Sequence, residues 1–293
     1  MKHFLLGALC FIGIVFSVSG QDDLLKQLEK EAEPIEDKTA GTFKGTRLIN
    51  GHSVEVREKG TLDFLISHRF GRINSGAYSL FGLDESNIRF GLEYAFIDRF
   101  TLGVGRNSFM KVYDGFFKYK ILQQSGQQKV PISLVWFSGA AANTLKRPEL
   151  LMNFERRLGF THQALISRKF NESLSLQLAP SYIHRNLVSS SMEENGLYAL
   201  GLGGRYKITP GTSLNLEYFY RFGDQTKNTF NALAIGFDIE TGGHVFQLHL
   251  TNAQSMTETG FIPATTGDFF GGDIHFGFNI SRTFQLKEKE EGW

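Results

Sequence analysis

Four stretches of the chain bring together residue types that can do chemistry. Ser67 and His68 are adjacent in "SHRFG" (Ser67–Gly71), a hydroxyl and an imidazole of the kind that make a nucleophile and its base. His249 and His275, with Asp238 or Asp273, would supply two imidazoles and a carboxylate, a donor set suited to a transition metal. Gly201-Leu202-Gly203-Gly204 has the glycine density of a phosphate-cradling loop, and "TTGDFFGGD" (Thr265–Asp273) that of a calcium-binding repeat. Whether any of these can act depends on the elements that carry them.

Those elements are strands. From Thr61 onward apolar and polar residues alternate with period two, and helical stripes are scarce. Leu62, Phe64, Ile66 and Phe70 oppose Thr61, Asp63, Ser67 and Arg69; Ile88, Phe90, Leu92, Tyr94 and Phe96 oppose Arg89, Gly91, Glu93 and Ala95. The pattern recurs through Leu214/Leu216/Tyr218/Tyr220, Leu233/Ile235/Phe237 and Phe246/Leu248/Leu250 to "DIHFGFNISRTF" (Asp273–Phe284). The fifth and sixth segments, near Pro131–Gly139 and Arg157–Phe170, alternate poorly. The count is about twelve strands, most about 9–12 residues long, the length that spans a bilayer at a tilt.

Placed on strands, the chemical candidates weaken. Neighbouring side chains face opposite sides of a sheet, so Ser67 and His68 cannot meet. A Ser–His site would need partners from several strands, with His68, His162 and Ser133 as candidates, and no spacing ties them to a carboxylate. The glycine run lies within a strand, where it eases curvature or a bulge, and the single glycine–aspartate segment reads as a turn. For His249 and His275 hydrogen bonding in an interior is expected over ligation. Catalytic residues, metals and cofactors are therefore expected to be absent, and the chain is expected not to be an enzyme.

Alternation alone serves a soluble sandwich as well as a membrane barrel, and the connections separate the two. Every second one is short (Ile97-Asp98, Asn171-Glu172, Thr209–Gly211, Thr241–Gly243, with Gln123–Val130 longer). The alternate set contains Gly71–Asn87, Ala140–Arg156, Arg185–Gly196 and Ala253–Gly272, with two shorter members near Ser108 and Asp224, so the alternation is imperfect. Long loops gathered at one end are the mark of an outer-membrane barrel. The expected fold is all-β: a single closed antiparallel up-and-down transmembrane β-barrel over residues 61–285, with its long loops extracellular. The lipid-facing parity would hold Leu92, Leu216, Ile235 and Phe278. The lumen would be lined by Arg69, Arg89, Glu93, Asp114, Lys118, Lys120, Arg205, Lys207, Glu217, Arg221, Asp238, His249 and His275, because charge facing hydrocarbon costs about 2–4 kcal/mol for Arg or Lys. These mixed charges predict a lattice of pairs across a narrow lumen and slight, weakly selective conduction.

The first twenty residues form a secretory signal peptide: Lys2 and His3, an apolar stretch from Phe4 to Phe16, then Ser17-Val18-Ser19-Gly20. Its removal takes away Lys2 and the lone Cys10, so disulfides cannot hold the remainder together. Residues 21–60 read as a charged periplasmic leader and lead-in. Within it Gln21–Gly41 is expected to be solvated and partly helical, with docking to a partner or plugging of the lumen as the alternative. Residues 286–293 form a charged tail. The formal charge of +1 over 293 residues argues against a nucleic-acid binder.

Several stretches resemble a family of outer-membrane β-barrels from Bacteroidota-type Gram-negative bacteria, a domain of unknown function. They are "TFKGTRLINGHSVE" (Thr42–Glu55), "LDFLISHRFG" (Leu62–Gly71), "FGLDESNIRFGLEY" (Phe81–Tyr94), "GVGRNS" (Gly103–Ser108), "FQLHLTNAQSM" (Phe246–Met256) and the final strand. The resemblance spans nearly the whole chain after the signal peptide and implies a barrel and an outer-membrane address, with no activity attached. The functional expectation is a porin-like narrow pore for small solutes or a scaffold with surface loops. Its expected partners are outer-membrane lipid and the barrel-assembly machinery. The alternatives are an outer-membrane hydrolase with a Ser/His site at the rim, or a secreted soluble β-sandwich.

Overall fold

The computed structural model describes residues 39, 41–125, 130–146, 153–188, 194–223 and 228–286. The signal-peptide, leader (residues 21–38) and tail (residues 287–293) readings fall outside them.

Twelve antiparallel strands close into a barrel in sequence order, the first pairing with the last. They are β1 (Thr61–Arg72), β2 (Ser86–Ile97), β3 (Phe100–Asn107), β4 (Val112–Leu122), β5 (Ser133–Asn143) and β6 (Leu158–Lys169). Then follow β7 (Leu174–Arg185), β8 (Gly196–Lys207), β9 (Thr212–Arg221), β10 (Ala232–Thr241), β11 (His244–Thr251) and β12 (His275–Gln285). Closure pairs every strand on both edges, which a spanning sheet requires in hydrocarbon. The β10–β11 connection is two residues, Gly242 and Gly243, both at positive φ (49° and 88°), the geometry of a turn whose twist matches its strands. Tight connections collect at this end and long ones at the other, including the Ala253–Ile274 segment with its short Glu258–Ala264 helix.

The two parities separate cleanly. Leu92, Leu216 and Ile235 are exposed on the outer wall, and Phe278 is half-buried there against His68. The inner parity is buried. It is not uniformly polar, however: Val135, Phe137 and Leu165 point inward and are fully covered. In β5 this is why alternation is poor in the sequence, since inward Val135 and Phe137 are as apolar as outward Leu134 and Trp136; on β6 only Leu165 is a large apolar residue on an inner face that also carries Thr161, Gln163 and Ser167.

What covers that inner face is the chain's own N-terminal part. Residues 41–58, expected to be lead-in, lie inside the barrel, and their apolar side chains cluster with those of the wall. Gly203 illustrates the fit. The register of β8 runs unshifted on both edges, so of the two roles expected for the glycine run, easing curvature or a bulge, the bulge does not form. A Cβ at Gly203 would instead collide with the Leu48 side chain of the inserted segment.

Candidate functional site

The inserted segment is a hairpin. Arg47 and His52 form an antiparallel bridge, Leu48 N–H donates to the Gly51 carbonyl at 2.9 Å, and Ser53 N–H donates to the Thr46 carbonyl at 3.0 Å. Asn50-Gly51 supplies the turn, and glycine is needed because a Cβ at Gly51 would meet the Phe219 ring. A lone two-stranded hairpin is marginal in water, so the barrel wall must hold this one.

The wall does so largely through the hairpin's backbone. The Glu217 carboxylate accepts three consecutive N–H groups, from Ile49 (3.3 Å), Asn50 (3.0 Å) and Gly51 (3.0 Å). Lys118 Nζ donates to the carbonyls of Thr46 (2.8 Å), Ser53 (3.2 Å) and Glu55 (3.3 Å). Gln247 donates to the Leu48 carbonyl (2.9 Å) and Asn279 to that of Ile49 (3.1 Å). Gln177 accepts from Val54 N–H and donates to the His52 carbonyl. Charged groups make such bonds roughly twice as strong as neutral ones, and they satisfy a backbone that would otherwise be buried unpaired. At the tight-turn end Lys44 pairs with Glu240 and Arg57 with Asp63.

The other face of the hairpin is apolar. Phe43, Leu48, Val54 and Val56 pack on Phe116, Val135, Phe137, Leu165 and Ala179. His52 sits between Phe116 and Phe137, its ring centroid 4.4 and 4.5 Å from theirs. Burial holds this imidazole well below its ordinary pKa, and the nearby Arg47 and Lys118 charges push the same way.

A second insertion comes from the long-loop end. Phe261 and Ile262 of the loop helix are fully buried against Ile183, Ala199, Phe219 and Ala232. Arg69 Nη1 donates to the Ala253 and Ser255 carbonyls, and Arg221 Nη1 to that of Pro263. The two insertions meet where Arg47 reaches Glu258 at 3.3 Å, with His52 Nε2 3.7 Å from the same carboxylate oxygen. Burial raises the Glu258 pKa, and Arg47 opposes the rise.

Several spaces remain beside this filling. A cavity of about 370 Å³ opens among the long loops, and one of about 430 Å³ lies at the tight-turn end beside Thr42, Val54, Lys120 and Ser133. Between them a pocket of about 10 Å³ is lined by Asp114, Phe116, Phe137, Ala141, Thr161 and Glu258 along β4–β6.

The charges expected in the lumen are placed as follows. Arg69, Arg89, Glu93, Lys118, Arg205, Glu217, Arg221, Asp238, His249 and His275 are buried inside, Asp114 is nearly so, and Lys120 and Lys207 line cavities at the tight-turn rim. The expected lattice of wall-to-wall ion pairs is reduced, among these residues, to Arg89 with Asp114 (Nε–Oδ1 3.0 Å). Five of the others, Arg69, Lys118, Arg205, Glu217 and Arg221, bind the two insertions instead, which no single strand's pattern reveals.

His249 and His275 do not face each other: His249 is opposite Gly277, and His275 opposite Thr251. His249 Nε2 accepts from Arg69 Nε (3.1 Å), and His275 Nδ1 bonds the Phe70 carbonyl (2.8 Å). Among the described residues no three His, Cys, Asp or Glu side chains converge. Ser67 is buried inside while His68 lies outside, and Ser133 Oγ accepts the Gln124 N–H. His162 faces outward and bonds Ser138 Oγ (2.8 Å), which also accepts the Trp136 indole N–H (2.9 Å). That hydroxyl, not singled out in the sequence, is taken up in anchoring an aromatic group on the outer wall.

A family model described as "Membrane bound beta barrel domain (DUF5777)" matches residues 43–284. No curated protein matches the chain. Solved structures similar to it include the NanC porin (9% identity, TM-score 0.49, 78% of this chain and 100% of that one). The KdgM porin (9%, 0.46, 76% and 99%) and an outer membrane channel from Pseudomonas putida F1 (15%, 0.48, 83% and 100%) are others. The strand order here rests on the chain's own hydrogen bonds.

Proposed function

Since the chain belongs to the family of membrane-bound beta barrel domains, we propose that it is a non-enzymatic, plug-gated pore of the outer membrane. Its tight turns lie in the periplasm and its long loops outside. The plug is the hairpin of residues 41–58, almost all of it within the matched span, and small solutes pass along β4–β6 when it is displaced.

The observation that carries this reading is the wall behind the plug. A wall meant to stay dry is built of apolar side chains. Here the buried hydroxyls of Thr161 and Ser167 on β6 make no hydrogen bond within the protein, nor do buried polar atoms of Glu93 on β2, Thr101 on β3, Ser175 on β7 and Ser213 on β9. Each such group costs about 1–3 kcal/mol while it stays dry and unpaired, a cost that disappears in a wet lumen. The aromatic group of His52, Phe116 and Phe137 is then the apolar constriction between the two cavities.

Cysteines at Leu48→Cys and Gly203→Cys would lock the plug to β8, in a mature chain that has no other thiol. Proteoliposomes carrying the oxidised pair are expected to exclude a small neutral sugar and to admit it after reduction. Equal uptake in the two states contradicts a plug that must move.

A further inference from the structure

We infer that the loop between β11 and β12 is a lid interlocked with the plug, so that lifting the loop helix frees the hairpin. The coupling itself needs no conduction. The pore reading gives it a purpose, control of the plug from the long-loop side.

The two insertions are joined in three ways. Arg69 of β1 grips both: Nη2 donates to the Asn50 side chain at the hairpin tip (2.6 Å), and Nη1 to the Ala253 and Ser255 carbonyls at the base of the loop (2.8 and 3.2 Å). Phe219 of β9 touches both. Its ring meets Phe261 of the loop helix edge-on, centroids 5.1 Å apart, and a Cβ at Gly51 would come within 2.9 Å of it. The third link is direct, the buried pair of Arg47 on the hairpin and Glu258 on the loop.

These links make the two movements depend on each other. Withdrawing the hairpin alone leaves Glu258 buried without Arg47, and lifting the loop alone does the same to Arg47. A buried charge is costly once its partner is gone. By linkage, whatever loosens the loop loosens the hairpin by the same factor. The lid also sits where it can act. The hairpin is held by Lys44–Glu240 and Arg57–Asp63 at the tight-turn end, and its Asn50-Gly51 tip ends against the loop.

The test pins and frees the loop while the plug is watched. A Cβ at Gly159 on β6 would lie 3.4 Å from that of Thr259 in the loop helix, near the spacing a disulfide needs. Gly159→Cys/Thr259→Cys therefore fastens the lid to the wall at a point away from the hairpin. Hydrogen exchange of the Ile49–Gly51 amides is followed by mass spectrometry on the full chain in nanodiscs. Exchange is expected to be at least about tenfold slower in the oxidised form than in the same protein reduced, a usual size for coupling between two sites. Phe261→Ala loosens the helix from Ile183, Ala199 and Phe219 of the wall and should quicken exchange of the same amides at least about tenfold. Both proteins should keep the heat-modifiable gel mobility of a folded barrel. Equal exchange in the oxidised and reduced forms overturns the inference, whatever Phe261→Ala does. The sugar-uptake assay separates the lid from the pore. Exchange that follows the lock, with no uptake after reduction of Leu48→Cys/Gly203→Cys, keeps the lid and removes the pore. Uptake with exchange indifferent to the lock does the reverse.

Discussion

The plug meets two unlike walls. On β1 and from β7 round to β12, with Lys118 of β4 at the margin, polar side chains hold its backbone through Gln177, Glu217, Gln247 and Asn279, and Arg69 holds the Asn50 side chain. Along β4–β6 the contact is apolar, through Phe116, Val135, Phe137 and Leu165, with hydroxyls at Thr161 and Ser167 that bond to nothing in the protein. Directional bonds fix where the hairpin sits, and the apolar face only fills space. On the proposed reading the segment would pivot off the second wall, giving up the Lys118 bonds from β4, while it stays tethered to the first. The pocket along β4–β6 lies on the side that would open.

The difference between the walls sets an order of mutational effects, all read as hydrogen exchange of the plug amides by mass spectrometry. Glu217→Ala removes the acceptor of three buried N–H groups. At about 1.5–3 kcal/mol for each bond to a charged group, protection of Ile49–Gly51 should fall by roughly a thousandfold or more. A fall of less than about tenfold would mean that the polar wall does not hold the plug. Phe137→Leu trims the apolar wall and should cost about 1.5 kcal/mol, near tenfold in exchange, while raising small-ion leakage. Leakage equal to the unmodified protein would place the constriction elsewhere.

Acidification gives the next effect. The docked plug holds His52 below its ordinary pKa, so a proton on the imidazole favours displacement. Docking should weaken as the pH falls below about 6.5, by at most about tenfold per pH unit. Glu258, raised by burial, takes up its proton more readily when docked and so opposes the loss in stronger acid. His52→Gln should abolish the first response, and a slope that survives this change belongs to another group. The smallest effect is expected at Thr161→Val and Ser167→Ala. Removing polar atoms that have no partner should leave docking within about 0.5 kcal/mol or strengthen it. A large loss at either would show that these hydroxyls hold the plug after all.

The barrel was legible in the sequence because each strand's alternation is a local property set by lipid on one side. Leu92 and Leu216 stand out beside Glu93 and Glu217 within single strands. The inner parity was legible too, but the partners of the inner charges were not. Glu217 bonds an amide 167 residues earlier in the chain, and no periodicity announces a hairpin threaded through the sheet. The weak alternation of β5 was a trace of the plug. Inward-facing Val135, Phe137 and Leu165 make sense only if something apolar lies against them. Asn50-Gly51 is a turn signal that the reading of residues 21–60 as lead-in passed over, and nothing in the sequence gives its destination.

On the proposed reading, residues 41–58 close a conduit through a barrel that stands without them. A planar-bilayer comparison of the intact protein with a form lacking those residues tests it most directly, both forms first shown to be folded by heat-modifiable gel mobility. The account predicts rare, small openings from the intact protein and long-lived conducting steps from the shortened one. A shortened barrel that folds, inserts and stays as silent as the intact protein would contradict it.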